Sequence, residues 1–176
     1  MNEQGGEYHL RLARPGEVGR LREIEDEAGE RFNDLKDIYD ESLSSSFSLD
    51  EMYRLAKLNQ VWAVCDGADN PVGMIIVSVR GENAYVEELD VLPEHGRRGL
   101  GSRLIEHVCN WAREQGCVRI DLSTFRYVPW NGPFYRRNGF RDLTQDEWTD
   151  DMSQIRAHET SQGLKPEARV FMRRDL

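Results

Sequence analysis

One stretch of the chain, VLPEHGRRGLGSRLIEHVCNWAR, constrains the fold more than any other, because a strand, a glycine loop and a helix follow one another without interruption. The stretch runs from Val91 to Arg113. Apolar residues recur in its second half at the spacing of an amphipathic α-helix. They are Leu104, Ile105, Val108, Trp111 and Ala112. A strand followed directly by a helix with one apolar face is typical of a sheet that is covered by helices.

The loop between this strand and this helix has the chemistry of an anion-binding site. Glycine lets the backbone approach a ligand closely and adopt a positive φ. The first N–H groups of a helix lack intrahelical acceptors and carry a partial positive charge. Arg97 and Arg98 add charge that suits a phosphate group. The sequence therefore predicts a phosphate-binding loop that is shaped by Gly96, Gly99 and Gly101 ahead of a helix from Ser102.

Two common phosphate-binding loops do not match this one. A P-loop requires a lysine before its Ser or Thr, but here Gly101 is followed directly by Ser102 and Arg103. The dinucleotide fingerprint requires a third glycine where this chain has Leu104. The sequence thus indicates an anion-binding loop of another class.

Composition limits the remaining classes of protein. With 176 residues, of which 39% are hydrophobic and 31% charged, the chain suits a folded protein rather than a disordered one, and we predict a single domain over residues 1–176. No apolar run approaches the roughly 18 residues of a membrane span, and the first residues, MNEQGGEYHL, do not resemble a secretory signal. Three cysteines fit reduced thiols better than a disulfide framework, and no Cys/His cluster has zinc spacing. We therefore expect a cytoplasmic protein that binds no membrane and no metal.

Charge is distributed unevenly along the chain. The formal net charge is −9, yet residues 91–141 contain nine arginines and four acidic residues, a local charge of +5 that leaves −14 for the remainder. The overall acidity argues against a nucleic-acid-binding protein. The basic segment predicts one polyanionic ligand. The acidic remainder suits a cationic acceptor or simply keeps the protein soluble.

Hydrophobic patterns place strands and helices along the rest of the chain. Pro15 can open a first helix, and the capping box Ser48-Leu-Asp-Glu51 opens a second from Leu49. Strands are predicted at 8–13, 61–65, 72–79, 84–92, 118–125, 140–143 and 169–172. Further helices are predicted at 133–137 and 150–162, and a polar loop is predicted at 33–47. The order β-α-α-β-β-β-α-β-α-β-α-β describes an α/β (α+β) chain with a mixed sheet.

Two motifs in this order resemble those of the GNAT superfamily of N-acetyltransferases. The segment from Leu89 to Gly101 is similar to the family's acetyl-CoA motif, and Phe134-Tyr135-Arg-Arg-Asn-Gly139-Phe140 is similar to its short helix ending in Tyr-x-x-x-Gly-Phe. The resemblance covers residues 8–143 and a closing strand at 168–174, with an acceptor-side insertion at 144–165. It implies the GNAT fold, a mixed, mostly antiparallel, splayed central sheet of about seven strands flanked by about four helices.

The resemblance also implies where acetyl-CoA binds. Backbone N–H groups of the loop would hold the pyrophosphate, and the end of the strand would pair with the pantetheine arm. The cofactor-binding residues expected on this basis are Leu89, Val91, Leu92, Arg97, Arg98, Gly99, Leu100, Gly101, Ser102, Asn131 and Tyr135. Two positions depart from the family pattern. Gly96 stands where the family usually has Gln or Arg, and Asn131 is nearer in sequence to Tyr135 than the family's asparagine is.

Acetyl transfer in this family generally proceeds by direct attack of an amine, without a covalent enzyme intermediate. Tyr135 is the candidate general acid for the departing thiolate, because a phenol carries a proton at neutral pH; the alternative is a tyrosine of the core. Glu87 and Glu88 lie on the strand that would reach the thioester, and neighbouring strand side chains point to opposite faces. In relatives, base positions lie two and four residues before the Leu-x-Val triplet, which favours Glu87 as the general base.

Other roles stay open at this point. Glu87 could instead anchor the acceptor cation, and Glu88, Asp90 and His95 are further candidate bases. The backbone N–H groups of Val91 and Leu92 are candidate donors to the acetyl oxygen. Aromatic residues that could contact the acceptor, or simply pack, are Phe32, Tyr127 and Trp130.

The leading functional hypothesis is an acetyl-CoA-dependent N-acetyltransferase that acts on a small-molecule amine. The nearest alternative is an enzyme that acetylates protein N-termini or lysines. An alternative of another class is a non-catalytic coenzyme A-binding module. Dimers are common in the family, so a homodimer is a further open alternative.

Overall fold

The structure is a computed structural model that describes residues 7–35 and 47–176. Within these ranges it contains seven strands and five α-helices. The strands are β1 His9–Leu12, β2 Val61–Cys65, β3 Pro71–Arg80, β4 Asn83–Val91, β5 Arg119–Phe125, β6 Arg141–Asp142 and β7 Arg169–Asp175. The helices are α1 Val18–Gly29, α2 Leu49–Lys57, α3 Leu100–Glu114, α4 Gly132–Arg137 and α5 Asp150–Ser161. In this part of the chain, no helix is both long enough and apolar enough to cross a membrane.

The strands form one mixed sheet in the order β1-β2-β3-β4-β5-β7-β6. Strands β4 and β5 are parallel, whereas the β1–β2, β2–β3, β5–β7 and β6–β7 registers are antiparallel. The parallel register is short, because it begins at Asn83↔Arg119 and ends at Tyr85↔Asp121, while β4 continues to Val91. The predicted fold class and the predicted order of elements are confirmed.

The described residues divide into two compact units. The first comprises 7–30, 47–78 and 87–108, and in it α1 packs against α2. Side chains from helices and strands that are fully buried there include Leu21, Ile24, Met52, Ile75, Ile76, Leu104 and Ile105. The second unit comprises 31–35, 79–86 and 109–176. Its most buried side chains include Ile120, Leu122, Phe171 and Met172 on β5 and β7. A single domain over residues 1–176 stays a prediction.

Local signals in the sequence determine most element boundaries. The Ser48 hydroxyl accepts a hydrogen bond from the Glu51 backbone N–H at 3.2 Å, and the Glu51 carboxylate accepts one from the Ser48 N–H at 3.0 Å, so the predicted capping box opens α2. Gly139 adopts a φ of 84° just after α4, as a left-handed cap requires. Most of the predicted polar loop at 33–47 lies outside the described residues.

Candidate functional site

The loop after β4 has the backbone geometry of an anion-binding nest. Arg97 and Gly99 both adopt positive φ, 57° and 75°, immediately before α3. The predicted start of this helix at Ser102 is wrong by two residues, since α3 begins at Leu100 and its first turn is closed by the Arg103 N–H donating to the Gly99 carbonyl at 3.0 Å. Residues with positive φ ahead of a helix N-terminus can turn successive N–H groups toward one side. This geometry suits a phosphate bound by backbone N–H groups.

Two buried leucines and two polar contacts fix the ends of this loop. Leu92 and Leu100 are almost fully buried. The Tyr8 hydroxyl contacts Nδ1 of His95 at 2.8 Å, and the Arg103 guanidinium donates to the Tyr8 carbonyl at 2.9 Å. His95 is therefore engaged by Tyr8, which makes it a weaker candidate for the general base. Pro93, Glu94, Arg97, Arg98 and Gly99 are exposed between the two leucines, so both arginine side chains of the loop are open to solvent.

Leu92 has an anchoring role rather than the oxyanion role considered for it. Its backbone N–H donates to the Val72 carbonyl on β3 at 2.9 Å, so this donor already has an acceptor. The oxyanion hypothesis is therefore not supported for Leu92. Gly96 is likewise structural, because its N–H closes the turn Pro93–His95 by donating to the Pro93 carbonyl at 3.0 Å.

The second half of β4 carries the two candidate glutamates. The Ser78 hydroxyl on β3 donates a hydrogen bond to the carboxylate of Glu87. Glu88 points to the other face of the strand, as the alternation of strand side chains requires, and its charge acts on Glu25 of helix α1. The two glutamates are therefore in different surroundings.

Glu25 is a titratable residue of this region that sequence analysis did not identify. Its Oε2 is buried without a hydrogen-bond partner among the described residues. Burial, reinforced by the negative charges of Glu88 and Asp26, raises the pKa of its carboxyl to about 7, although the Arg22 charge and the Phe47 backbone N–H act in the opposite direction. A carboxyl with this pKa can exchange protons near neutral pH.

The second motif lies in the second unit, where β5 leads into α4. The Asn131 side-chain amide donates to the Thr124 hydroxyl at 2.9 Å. Its Oδ1 is buried and has no partner among the described residues, so Asn131 still has an acceptor to offer to a ligand N–H group. Gly132 is required beside it, because a Cβ there would collide with the Arg126 carbonyl oxygen and lie 3.0 Å from that of Phe125.

Tyr135 lies on α4, where its ring is held by other aromatic residues. The ring is 7% exposed and makes edge contacts with Phe134 and Phe140 at centroid distances of 5.1 and 5.6 Å. Such packing fixes the direction of the phenol. It is compatible with both hypotheses for this residue, the general acid and the core tyrosine.

Two of the three aromatic residues considered for acceptor binding contact each other. Phe32 and Trp130 are in edge contact at a centroid distance of 5.7 Å, and the Arg31 guanidinium lies 5.7 Å from the Trp130 ring centroid. Tyr127 is 78% exposed. Of these three, Tyr127 therefore has the ring with most of its surface open to solvent.

One group of potential metal ligands occurs in the part of the chain that the structure describes. His9, Cys65 and Asp69 bring their ligand atoms within 4.8 Å of one another. The Asp69 carboxylate already accepts hydrogen bonds from Arg11 and Arg14, both at 2.7 Å, and burial raises the pKa of the Cys65 thiol to about 11. We interpret this group as an ion-pair network that joins β1 to the turn after β2. All three cysteines of the chain are buried and reduced.

Comparison with known proteins agrees with the two motifs. The family profile described as Acetyltransferase (GNAT) family matches residues 23–140. Thialysine N-epsilon-acetyltransferases from Bos taurus and Sus scrofa are 32% and 34% identical over 68 and 67 residues, which is 39% and 38% of this chain and 40% and 39% of those proteins. The chain thus aligns with less than half the length of these curated relatives.

Solved structures share the fold at lower sequence identity. The PaiA N-acetyltransferase of Thermoplasma acidophilum in complex with coenzyme A superposes with a TM-score of 0.76 at 15% identity, covering 97% of this chain and 99% of that one. The N-acetylglutamate synthase of Neisseria gonorrhoeae, complexed with coenzyme A and N-acetyl-glutamate, gives 0.72 at 16% identity, covering 97% of this chain and 35% of that one. Since the family profile spans more than half of the chain and includes both motifs, the protein belongs to the GNAT family of acetyltransferases.

Proposed function

We propose that the protein transfers an acetyl group from acetyl-CoA to the amine of a small molecule by direct attack. The observation that carries the proposal is the loop between β4 and α3, where Arg97 and Gly99 with positive φ lead into a helix N-terminus. Acetyl-CoA supplies the activated acetyl group when it is bound. The backbone from Arg97 to Ser102 would hold its pyrophosphate, and the exposed guanidinium groups of Arg97 and Arg98 would add charge at its phosphates.

The pantetheine arm would bind along β4 and at Asn131. Strand β4 continues beyond the end of its register with β5 at Tyr85, and its half-buried residues from Glu87 to Val91 include the expected contacts Leu89 and Val91. Asn131 supports this placement, because its buried Oδ1 can accept a hydrogen bond from an amide N–H of the arm.

Tyr135 and Glu87 are the proposed proton carriers. Tyr135 would protonate the departing thiolate, and its aromatic surroundings would hold the phenol in a fixed direction. Glu87 would take the proton of the attacking ammonium, with the Ser78 hydroxyl orienting the carboxylate. Glu88 would act on the acceptor as negative charge that favours a cation.

A small-molecule amine is the preferred acceptor. The names of the curated relatives specify an N-ε-acetyltransferase of thialysine, a small molecule with a side-chain amine. The acidic remainder of the chain also favours a cationic acceptor. Protein N-termini or lysines are the alternative acceptors, and a coenzyme A-binding protein without turnover is the alternative of another class.

The test combines ligand-induced stabilisation with a search for turnover. Saturating acetyl-CoA should raise the melting temperature, since a ligand at about 100 times its Kd adds roughly 2.7 kcal/mol to the free energy of unfolding. A panel of amines, including thialysine, polyamines and peptides, is then read for release of free thiol. Absence of a melting shift would refute the proposal. A shift without thiol release from any amine would instead support the non-catalytic alternative.

Tyr135→Phe then separates the general acid from a core tyrosine. We expect kcat to fall by about 10²-fold or more with little change in the Kd for acetyl-CoA, because proton transfer in the transition state is lost while packing is kept. Tyr53→Phe is the matched control, since it removes the same hydroxyl from an exposed tyrosine on α2. Equal activities of the two variants would exclude Tyr135 as the general acid.

A further inference from the structure

A buried carboxylate in the second unit is shared by two buried arginines. The side chains of Glu159, Arg156 and Arg169 are only 10%, 12% and 13% exposed. Arg169 donates to Glu159 Oε1 at 2.6 Å, and Arg156 Nε lies 3.2 Å from Glu159 Oε2. The Ser123 hydroxyl donates to the same carboxylate at 2.6 Å. The cluster therefore holds two positive charges and one negative charge away from water, which is costly unless another anion compensates.

Arg156 is the member of this cluster whose donors are not satisfied. Its Nη1 donates to the Pro166 carbonyl at 2.9 Å. The N–H of Nε is not directed at Glu159, and neither Nε nor Nη2 has a hydrogen-bond acceptor in the described part of the chain. These two nitrogens form one edge of the guanidinium, and such an edge can bind both oxygens of a carboxylate or phosphate. Burial also lowers the pKa of Arg156, although the negative charge of Glu159 acts in the opposite direction.

Aromatic rings hold this guanidinium in place. Its Cζ lies 5.2 Å from the Trp148 ring centroid and 4.8 Å from that of Phe171. The indole N–H of Trp148 is buried as well and has no acceptor among the residues that the structure describes. Three donor nitrogens on two neighbouring side chains thus lack acceptors, although buried donors are nearly always paired.

A cavity of about 660 Å³ is lined by both of these residues, Arg156 and Trp148. Three arginines, Arg126, Arg156 and Arg169, line it together with one acidic residue, Glu167. Trp148 and Phe171 provide apolar wall. The volume lies in the range of small-molecule sites, which combine apolar walls with a few placed polar groups. Arg126 is paired with Asp142 at 3.3 Å and Arg169 with Glu159 at 2.6 Å, so Arg156 carries the least compensated positive charge of this cavity.

We propose that this cavity binds a small molecule through a carboxylate or phosphate group, held by the Nε–Nη2 edge of Arg156 and the indole N–H of Trp148. Both donors are covered by neighbouring atoms, so binding requires the Arg156 guanidinium to shift against the two rings until its Nε–Nη2 edge faces the cavity. The bound anion and Glu159 then supply two negative charges, which balance the positive charges of Arg156 and Arg169. The site involves neither the loop before α3 nor Glu87, so it stands whether or not the proposed acetyl transfer is correct.

The experiment follows the indole N–H of Trp148 by NMR. The chain has four tryptophans, so Trp148→Phe identifies the signal. Sodium acetate and sodium phosphate are titrated in separate arms, each against sodium chloride of equal ionic strength and with coenzyme A present to occupy the other anion site. We expect a saturable shift of the Trp148 signal and of Arg156 Nε in at least one arm, and the stronger arm identifies the group as a carboxylate or a phosphate.

Variants of Arg156 complete the test. Arg156→Met should abolish the saturable shift, and Arg156→Lys, which keeps the charge but loses the two-donor edge, should weaken binding roughly tenfold. Arg113→Met is the matched control, because Arg113 is an exposed arginine whose loss should leave the titration unchanged. The proposal would be overturned if neither anion gave a saturable shift. It would also be overturned if Arg156→Lys gave the same shift as the unaltered protein, and this comparison remains possible even if Arg156→Met fails to fold.

Discussion

At the scale of single residues, Glu25 shows how tertiary structure changes the chemistry of a side chain. It lies on α1 with one carboxylate oxygen buried, and the charge of Glu88 acts on it from β4. Because the pKa is about 7 in the folded protein and near its ordinary value of about 4.5 when unfolded, the folded state binds the proton more tightly. The contribution of Glu25 to the free energy of unfolding is therefore fully present below pH 4.5 and is lost as the pH rises through 7.

We predict that Glu25→Gln removes most of this loss of stability with rising pH. Between pH 5 and pH 8 the free energy of unfolding of the unaltered protein should fall by roughly 2 kcal/mol on account of Glu25, a figure reduced for its partial exposure. Urea unfolding at both pH values measures the difference. Glu23→Gln, an exposed change on the same helix, is the control and should leave the pH dependence as it was. A Glu25→Gln protein with the unaltered pH dependence would contradict the assignment.

The candidate residues differ in how far sequence could identify them. Tyr135 and Asn131 lie in a local motif, so spacing along the chain was enough to select them. Glu25 has no such signal, because it stands in a run of charged residues on α1. Its altered pKa arises from burial in the folded protein and from the charge of Glu88 on a strand far along the chain. Sequence likewise could not identify the role of Leu92, since only the structure shows that its N–H donates to the Val72 carbonyl.

At the scale of elements, strands β5 and β7 are joined by a buried ion pair. Asp121 and Arg173 face each other in the antiparallel register, and the guanidinium donates two hydrogen bonds to the carboxylate, at 2.7 and 3.0 Å. Both side chains are almost fully buried. The Asp121 hydrogen bond raises the pKa of Arg173. The arginine would stay charged without this partner too, because a guanidinium group is not deprotonated in proteins.

We predict that Asp121→Asn lowers the free energy of unfolding by about 3–5 kcal/mol, because it leaves the charge of Arg173 buried without a counter-ion. Denaturant unfolding at neutral pH measures the loss. Glu147→Gln, which removes the more exposed ion pair with Arg141, should have a much smaller effect. The double variant Asp121→Leu with Arg173→Met should be more stable than Asp121→Asn, and equal losses in all three proteins would argue against the buried charge as the cause.

Strand β3 approaches β4 closely at Gly73, next to the expected position of the acetyl group. A Cβ at this position would lie 2.8 Å from the Asp90 carbonyl oxygen and 3.0 Å from a Val91 methyl group. We predict that Gly73→Ala displaces the end of β4 and lowers kcat/KM at least about tenfold, since small misplacements of reacting groups are costly. Gly67→Ala is the control, because the nearest atom to a Cβ there lies 3.8 Å away. Activity is measured with the amine that the thiol-release panel identifies as the acceptor. If both variants retain full activity, the end of β4 does not position the thioester.

Elements were predictable where one local signal dominated. Alternating or continuous apolar residues located β2 to β5, and the capping box located α2, because these signals act within a few residues. Boundaries set by tertiary contacts were less predictable. Helix α3 begins two residues before the predicted start, at the buried Leu100, and β6 forms only two register pairs with β7 although four residues were expected.

At the scale of the whole molecule, two opposite electrostatic effects act on an anionic cofactor. The net charge of −9 repels acetyl-CoA at long range, whereas the +5 segment from Val91 to Arg141 attracts it at short range. Salt screens both effects, but the Debye length falls from about 10 Å at 0.1 M salt to about 3 Å at 1 M. At 0.1 M the distant acidic groups are already largely screened, so the nearby arginines should dominate.

We therefore predict that acetyl-CoA binds more weakly as salt rises, with a Kd several-fold higher at 0.5 M than at 0.1 M sodium chloride. Calorimetric titration at a series of salt concentrations gives the slope. Replacement of Arg97 and Arg98 together by Ser should raise the Kd at low salt and flatten the slope, because it removes the exposed charges of the loop and leaves its backbone donors. Arg113→Ser should change neither. Affinity that rises with salt would mean that the acidic remainder governs the encounter and that the loop binds phosphate through backbone N–H groups alone.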